Sequence, residues 1–322
     1  MEERIVSVIN EMSESLSAVQ LRLLQESLLK HFADNASERP DAANEEYVRL
    51  FLEAKEIEGC SDRTIAFYKS TVEHFISNIE VPVRRITTEA IRSYLVDYQK
   101  INNCTKVTVD NVRRNISSFF SWLEEEDYIL KSPMRRIHKI RTAKVVKQTI
   151  SDEGIELLRD NCNELRDLAI VDFLYSTGIR VGELVNLNIE DIDFEQRECI
   201  VIGKGNKERK VYFDAKAKIH LQNYLESRRD NNPALFVTLD SPHDRLKISG
   251  VEIRLRELGR KVNIDKVHPH KFRRTMATRA IDKGMPIEQV QKILGHSQID
   301  TTMQYAIVNQ NNVKASHQKY IS

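Results

Sequence analysis

Apolar residues recur along this chain at the three- and four-residue spacing of a helix face. Ile5, Val8, Ile9, Met12, Leu16, Val19, Leu23, Leu24 and Leu28 form one such stripe, which predicts one or two amphipathic helices over residues 5–33. Residues 34–43 are polar and contain Pro40, so they read as a linker. Four more helical patterns follow, near 44–58, 62–78, 88–100 and 106–125. Gly59-Cys60-Ser61 separates the first two, with Ser61 or Asp62 as a candidate N-cap, and Thr87 or Thr88 suits the start of the third. Phe119, Phe120, Trp122 and Leu123 make an aromatic-rich stripe whose expected place is a bundle core. Ser132-Pro133 closes this unit.

A second patterned unit begins near Thr149, with helices expected at 151–161, 164–177, 180–187, 215–228, 249–259, 271–283 and 286–294. Between Ile192 and Phe213 the period shortens toward two. Asp193-Phe194, Cys199-Ile200-Val201-Ile202 and Arg209-Lys210-Val211-Tyr212-Phe213 read as short strands. Gly203 and Gly205 mark the turn between the last two, which puts Lys204 at a hairpin tip. The pattern predicts a mainly α protein with a small antiparallel β-sheet, divided into two domains.

Composition adds an ordered, water-exposed class. The 322 residues are 41% hydrophobic and 30% charged, with few Gly and Pro. No apolar run is long enough to cross a bilayer, and Met1-Glu2-Glu3-Arg4 does not read as a signal peptide, so a cytoplasmic location is expected. Cys60, Cys104, Cys162 and Cys199 are far apart and form no C-x-x-C pair, which argues for reduced thiols rather than a zinc site or a disulfide frame.

The net charge of +1 conceals an asymmetry. Residues 1–58 hold 13 Asp/Glu against 6 Lys/Arg, a charge of −7, which leaves +8 for the remainder. The basic part suits a polyanion. Its densest run, residues 135–147, contains Arg135, Arg136, Lys139, Arg141, Lys144 and Lys147 and no acid. A run of this kind between two folded units is either a solvated linker or a linker that follows a phosphate backbone.

Five short stretches in the C-terminal half carry chemistry: Thr177–Leu184, Gly203–Arg209, His270–Arg273, Leu294–His296 and Tyr305. Arg180 opens a predicted helix, where a planar guanidinium can grip two phosphate oxygens. Glu183 stands one turn on and can orient it, or can form an ordinary surface ion pair. His270 and Arg273 share a helix face, behind a Pro269 suited to a helix start. Gly295 suits a helix end before His296. A phenol has a pKa of about 10, so a Tyr305 nucleophile at pH 7 needs roughly 4 kcal/mol of help from clustered cations and a proton acceptor.

In order and spacing, T-G-x-R-x-G-E-L, G-K-G-x-K-x-R, H-x-x-R and L-G-H-x8-Y resemble the tyrosine recombinases of the phage-integrase family, with an Xer-like layout. The resemblance spans about 44–322. It implies an acidic helical extension and linker (1–43), a helical core-binding domain on DNA (44–132), a basic interdomain linker (133–148) and a catalytic domain with a C-terminal tail (149–322). It implies that Tyr305 attacks the scissile phosphorus and that Lys204 protonates the leaving 5′ oxygen. Arg180 and Arg273 then brace the non-bridging oxygens, His296 adds a hydrogen bond, and His270 takes or orients the tyrosine proton, while Glu183 supports Arg180. DNA contacts are expected from the linker cations named above and from Lys207 and Arg209 on the hairpin. The resemblance implies double-stranded DNA as partner and a tetramer on two sites held partly by the tail, with no ATP, no metal and no cofactor; the amphipathic N-terminal helix is a further candidate for contact between protomers.

The acidic, helical first 40 residues differ from the small basic β-rich domain that opens many phage integrases, which favours a simple-site recombinase. Three rivals stand beside this reading. His268, His270 and His296 are a possible metal set for hydrolysis. A non-catalytic DNA-binding regulator and a type IB topoisomerase would each share the fold.

Overall fold

Helix formation in the N-terminal half follows the apolar period to within a residue or two. The computed structural model describes residues 8–13, 15–34, 44–79, 81–142, 148–203 and 208–305. These fall into two units, residues 1–144 and 145–322. In the first, residues 8–12 are helical and are followed by α1 (Ala18–Asp34), α2 (Asn44–Ile57), α3 (Asp62–Ser77), α4 (Thr88–Ile101) and α5 (Lys106–Glu125). The Thr87 hydroxyl accepts the Ala90 N–H at 3.2 Å to start α4, and the Thr105 hydroxyl accepts the Thr108 N–H at 3.3 Å to start α5. Ser61 holds the N-cap position of α3, but its hydroxyl meets Thr64 Oγ1 at 2.9 Å instead of a backbone donor.

The aromatic stripe is core, as its spacing predicts. Phe119, Phe120 and Leu123 are fully buried with Phe51, Phe75, Ile91 and Ile116. Phe51 and Phe119 meet edge to face, with centroids 5.3 Å apart at 75°. By contrast, no described side chain of α1 is buried, and Val19 and Leu23 are exposed.

Residues 133–140, expected to be linker, pack on the first unit. A short 3-10 turn, Pro133–Arg136, buries Met134 in the aromatic core, and Ile137 and Ile140 rest against it. Thr88 Oγ1 donates to the Pro133 carbonyl at 2.7 Å, and the Ile140 N–H donates to Asp110 Oδ1 at 3.0 Å.

The second unit contains α6 (Asp152–Asp160), α7 (Leu165–Thr177), α8 (Val181–Asn186), β1 (Ile192–Asp193), β2 (Glu198–Ile202), β3 (Glu208–Tyr212), α9 (Ala215–Ser227), α10 (Ile248–Lys261), α11 (Pro269–Asp282), α12 (Ile287–Leu294) and α13 (Asp300–Met303). The observed fold is the expected one: mainly helical, with a three-stranded antiparallel sheet in the order β1-β2-β3. Helix α7 is the central element. Ala169, Ile170, Val171, Phe173 and Leu174 are all buried, so it has little amphipathic character and packs on both α9 and α11.

The sheet alternates as a half-covered sheet must. Cys199, Val201 and Val211 face the core, while Ile200 and Ile202 face out. Val201 pairs with Arg209, on the same strand face as Val211. The hairpin tip, with Lys204 and Lys207, lies outside the described residues, as do Lys144 and Lys147 of the basic run and the tail beyond Tyr305.

Removing the ring at the centre of the helical unit tests this packing. Phe119→Ala is expected to lower unfolding free energy by about 3–5 kcal/mol, measured by denaturant titration. A loss below about 1 kcal/mol would show that the aromatic cluster is not the core of that unit.

Candidate active site

Two glycine turns set the positions of the site's arginines. Helix α7 ends at Gly178 in the left-handed region (φ 61°), and the chain then turns so that Arg180 stands at the N-terminus of α8. A Cβ on Gly178 would fall 2.2 Å from Met276 Cε. Helix α12 ends at Gly295 (φ 63°), with Gly295 N–H to Lys292 O at 3.1 Å and His296 N–H to Gln291 O at 3.1 Å. This paired closure turns the chain sharply and presents His296. Here a Cβ would fall 2.8 Å from Arg209 Cδ.

The carbonyls freed at these helix ends hold guanidinium groups. Arg273 Nη1 donates to Gly178 O at 2.6 Å, and its Nη2 donates to Leu294 O. Arg180 Nη2 donates to Gly295 O at 3.3 Å, and Arg209 Nε donates to Ile293 O at 2.9 Å. Glu183 completes the frame. Its carboxylate accepts the Arg180 backbone N–H at 2.8 Å and Arg180 Nη1 at 2.8 Å, and both arms of Arg209 reach it at 2.7 Å.

Glu183 is therefore no surface ion pair. Burial alone would raise its carboxyl pKa, but hydrogen bonds from Arg209 and the Arg180 backbone outweigh burial and hold it below the ordinary value. Arg209, expected to touch DNA from the hairpin, is instead turned inward. Its side chain is 11% exposed and its donors are taken by Glu183 and Ile293. The cause is the strand period, which places Arg209 on the covered face with Val211.

Arg273 is 2% exposed. Burial, then Arg180 and Arg209, lower its pKa to about 10, which still leaves it charged at neutral pH. His296 Nε2 lies 3.0 Å from Arg273 Nη2, and its Nδ1 lies 2.8 Å from Thr302 Oγ1. Burial, then Arg273, Arg180 and Arg209, hold the ring at about 4, so it is neutral at pH 7. Helix α11 starts at Pro269 and carries His270, exposed, one turn from Arg273. Tyr305 follows α13 and is half-buried. Its ring rests against the cluster of Ala277, Val290 and Leu294, 6.1 Å from the His296 ring.

A single cleft of about 980 Å³ is lined by Arg180, His270, Arg273, His296 and Tyr305, so five of the six expected catalytic residues converge. The sixth, Lys204, lies outside the described residues. Among the described residues, the cleft wall also includes cations not singled out by spacing, Lys266, Lys271 and Arg274, against one carboxylate, Asp265. Lys271 is buried and donates to the Asp265 carbonyl at 2.6 Å, and Arg274 Nη1 donates to Gln148 O at 2.9 Å. Their signal in the sequence is proximity to H-x-x-R, on the turn before α11 and along its first turn. A dense positive field with pre-aimed donors is suited to a phosphate and to charge that grows on its oxygens.

Among the described residues, no group of three or more His, Cys, Asp or Glu is placed to hold a metal ion. Asp191 accepts the Asn188 N–H and Asp193 accepts those of Glu195 and Gln196, so this carboxylate pair closes turns. No described helix is long and apolar enough to cross a membrane. Of the basic run, Arg135, Arg136, Lys139 and Arg141 are exposed, and Arg135 pairs with Glu124 at 2.6 Å.

Known proteins are similar to this chain in sequence and in fold. Residues 144–312 match the Phage integrase family, and residues 30–130 match the phage integrase N-terminal SAM-like domain. Tyrosine recombinase XerC of Oceanobacillus iheyensis is 30% identical over 85% of this chain and 95% of its own length. Tyrosine recombinase XerA of Pyrococcus horikoshii is 29% identical over 88% and 96%. In fold, the chain is similar to the Tn1549 transposon integrase in complex with a circular intermediate DNA (TM-score 0.71, 18% identity, 85% of this chain and 98% of that one). It is likewise similar to a lambda integrase dimer bound to a COC′ core site (TM-score 0.70, 16% identity, 89% and 86%). Since the matches extend over both units and the cleft is built from the stretches that first suggested it, the chain belongs to the phage integrase family of tyrosine recombinases and has an Xer-like layout.

Proposed function

We propose that this enzyme cuts and rejoins DNA at specific sites through a 3′-phosphotyrosine link to Tyr305, without ATP or metal. The observation that carries the reading is the convergence of Arg180, His270, Arg273, His296 and Tyr305 on one cleft. In the first step the Tyr305 phenolic oxygen bonds to phosphorus and the bond from phosphorus to the 5′ oxygen breaks. The Tyr305 proton passes to His270, and Lys204 supplies the proton that the leaving 5′ oxygen takes up. Arg180 and Arg273 meet the charge that develops on the non-bridging oxygens. A 5′ hydroxyl from a second strand then attacks the phosphotyrosine and frees Tyr305. One phosphodiester replaces another, so the exchange needs no external energy source.

The reaction served is that of a simple-site recombinase acting in the cytoplasm: inversion, dimer resolution or mobile-element integration and excision. The acidic N-terminal region, which lacks the charge to hold a second DNA segment, supports this, as does the similarity to Xer enzymes along most of the chain. Exposed Arg136, Lys139 and Arg141, with Arg135, Lys144, Lys147 and Lys207, are assigned to phosphates that flank the scissile one. Assembly is a tetramer on two sites, with residues 308–322 contacting a neighbouring protomer.

Three outcomes test this reading. Tyr305→Phe should retain DNA binding in a mobility-shift assay and give no covalent protein–DNA adduct. An adduct that persists would remove Tyr305 as nucleophile. Lys204→Ala should slow cleavage by about 10²–10⁴-fold, with recovery on a substrate whose leaving oxygen is replaced by sulfur, which departs without a proton. Failure of the sulfur substrate to recover would end the general-acid role. Because His296 is held neutral down to about pH 4, His296→Gln should lower the adduct rate while leaving the midpoint of any acid limb between pH 5 and 7 where it was. A displaced midpoint would show that His296 itself titrates in that range.

A further inference from the structure

The contacts of His296 require a particular arrangement of protons. A guanidinium donates and never accepts, so the 3.0 Å contact from Arg273 Nη2 demands an unprotonated Nε2. The ring's one proton is then on Nδ1, where it is donated to Thr302 Oγ1 at 2.8 Å. In this state His296 has no N–H to offer an anion in the cleft. To donate from Nε2 it must become the other tautomer, which leaves Nδ1 bare against Thr302. A hydroxyl rotates to accept from an N–H or to donate to a bare nitrogen. Thr302 therefore satisfies both tautomers, which valine cannot do. Its side chain is wholly buried at 0% exposure, so water has no access to replace the hydroxyl. The same residue anchors the nucleophile's turn: its N–H donates to Ile299 O at 2.7 Å and its carbonyl accepts the Tyr305 N–H at 2.9 Å.

We infer that Thr302 is a positioning residue whose hydroxyl lets His296 change from acceptor for Arg273 in the free enzyme to donor toward a phosphate oxygen when DNA is bound. The inference rests on the phosphoryl-transfer reading above. In the exchange the half-buried ring swings off Thr302, gives its Nδ1 proton to water in the cleft, takes one from water at Nε2 and returns, so it stays neutral. Arg273 keeps its contacts to Gly178 O and Leu294 O as it releases the ring.

The unsubstituted protein, Thr302→Val, Thr302→Ser and His296→Gln are to be compared by four measurements. These are single-turnover adduct formation on a nicked DNA substrate, DNA affinity, the thermal unfolding midpoint, and ¹⁵N NMR of ring-labelled histidines, with His296→Gln identifying the resonance. Thr302→Val should form adduct roughly ten- to a hundredfold more slowly, a fraction of the loss expected when an oxyanion donor is deleted outright. Its DNA affinity and unfolding midpoint should be unchanged, and Thr302→Ser should recover the rate. The ¹⁵N shifts should report an Nδ1-protonated His296 in free protein and an Nε2-protonated one with DNA in a Tyr305→Phe background. That change should be missing in Thr302→Val. Wild-type adduct rates in Thr302→Val, or a tautomer that DNA does not alter, would overturn the inference. If Thr302→Val unfolds, the NMR comparison on the otherwise intact chain and the Thr302→Ser rate decide it. Absence of adduct in the wild type would instead refute the phosphoryl-transfer reading. The tautomer of free protein with and without inorganic phosphate would then decide the role of Thr302 separately.

Discussion

Three successive carbonyls at the end of α12 hold three different arginines, and the site depends on that arrangement. Ile293 O takes Arg209, Leu294 O takes Arg273 and Gly295 O takes Arg180. Guanidinium groups gathered this closely repel one another and lose hydration, a cost that burial makes larger. Helix C-terminal carbonyls are unpaired within their own helix and carry the negative end of the macrodipole. Each is therefore a ready partner for a cation that must be fixed without being neutralised. A carboxylate beside Arg273 would cancel the charge a phosphate needs. A carbonyl supplies the hydrogen bond and leaves the full charge.

The one carboxylate in the frame is placed with the same economy. Glu183 faces Arg180 and Arg209, and Arg209 absorbs most of its charge from within the protein. Arg209 thus acts as a counterion to the carboxylate that orients Arg180. Without it, a buried Glu183 would draw Arg180 away from the cleft or rise in pKa and lose its grip. The left-handed turns at Gly178 and Gly295 are what make the carbonyls available. Each ends a helix, and the close approach of Met276 at one and Arg209 at the other leaves little room for a side chain. Fold and site are coupled at these two residues.

Much of this was legible in the sequence, for identifiable reasons. Most helices of both units follow a 3.6-residue period, the all-round buried α7 excepted, and their caps and glycine stops are local signals. The cleft residues were legible through motif order, since five stretches far apart in sequence resemble one family's pattern. What single-residue reading left out depended on direction. Arg209 looked like a hairpin cation, yet its strand period sets it on the face of Val211, and that alternation was present in Glu208-Arg209-Lys210-Val211. Met134, Ile137 and Ile140 recur every third residue from just before the basic run into it and were hidden by its charge. They tie residues 133–140 to the helical unit. Lys266, Lys271 and Arg274 had no spacing signal, because the turn into α11 is what brings them to the cleft wall.

Preorganisation explains why so near-neutral a chain can act on a polyanion. The charge that counts is local: among the described residues, five cations and one carboxylate on the cleft wall, within a molecule of net charge +1. Long-range attraction scales with the surface field and fades with salt, whereas a cation already fixed at van der Waals range acts at full strength when the phosphate arrives. In water the solvent must reorient as charge grows on the phosphate oxygens. In this cleft Arg273 is aimed beforehand by Gly178 and Leu294, and Arg180 by Glu183 and Gly295, so the reorganisation cost is met during folding. His296 is the exception, since in the free enzyme its Nε2 serves Arg273 rather than the anion. The site therefore pairs rigid arginines with one ring whose hydrogen-bonding sense must change, and the residue that permits the change also anchors the turn to Tyr305.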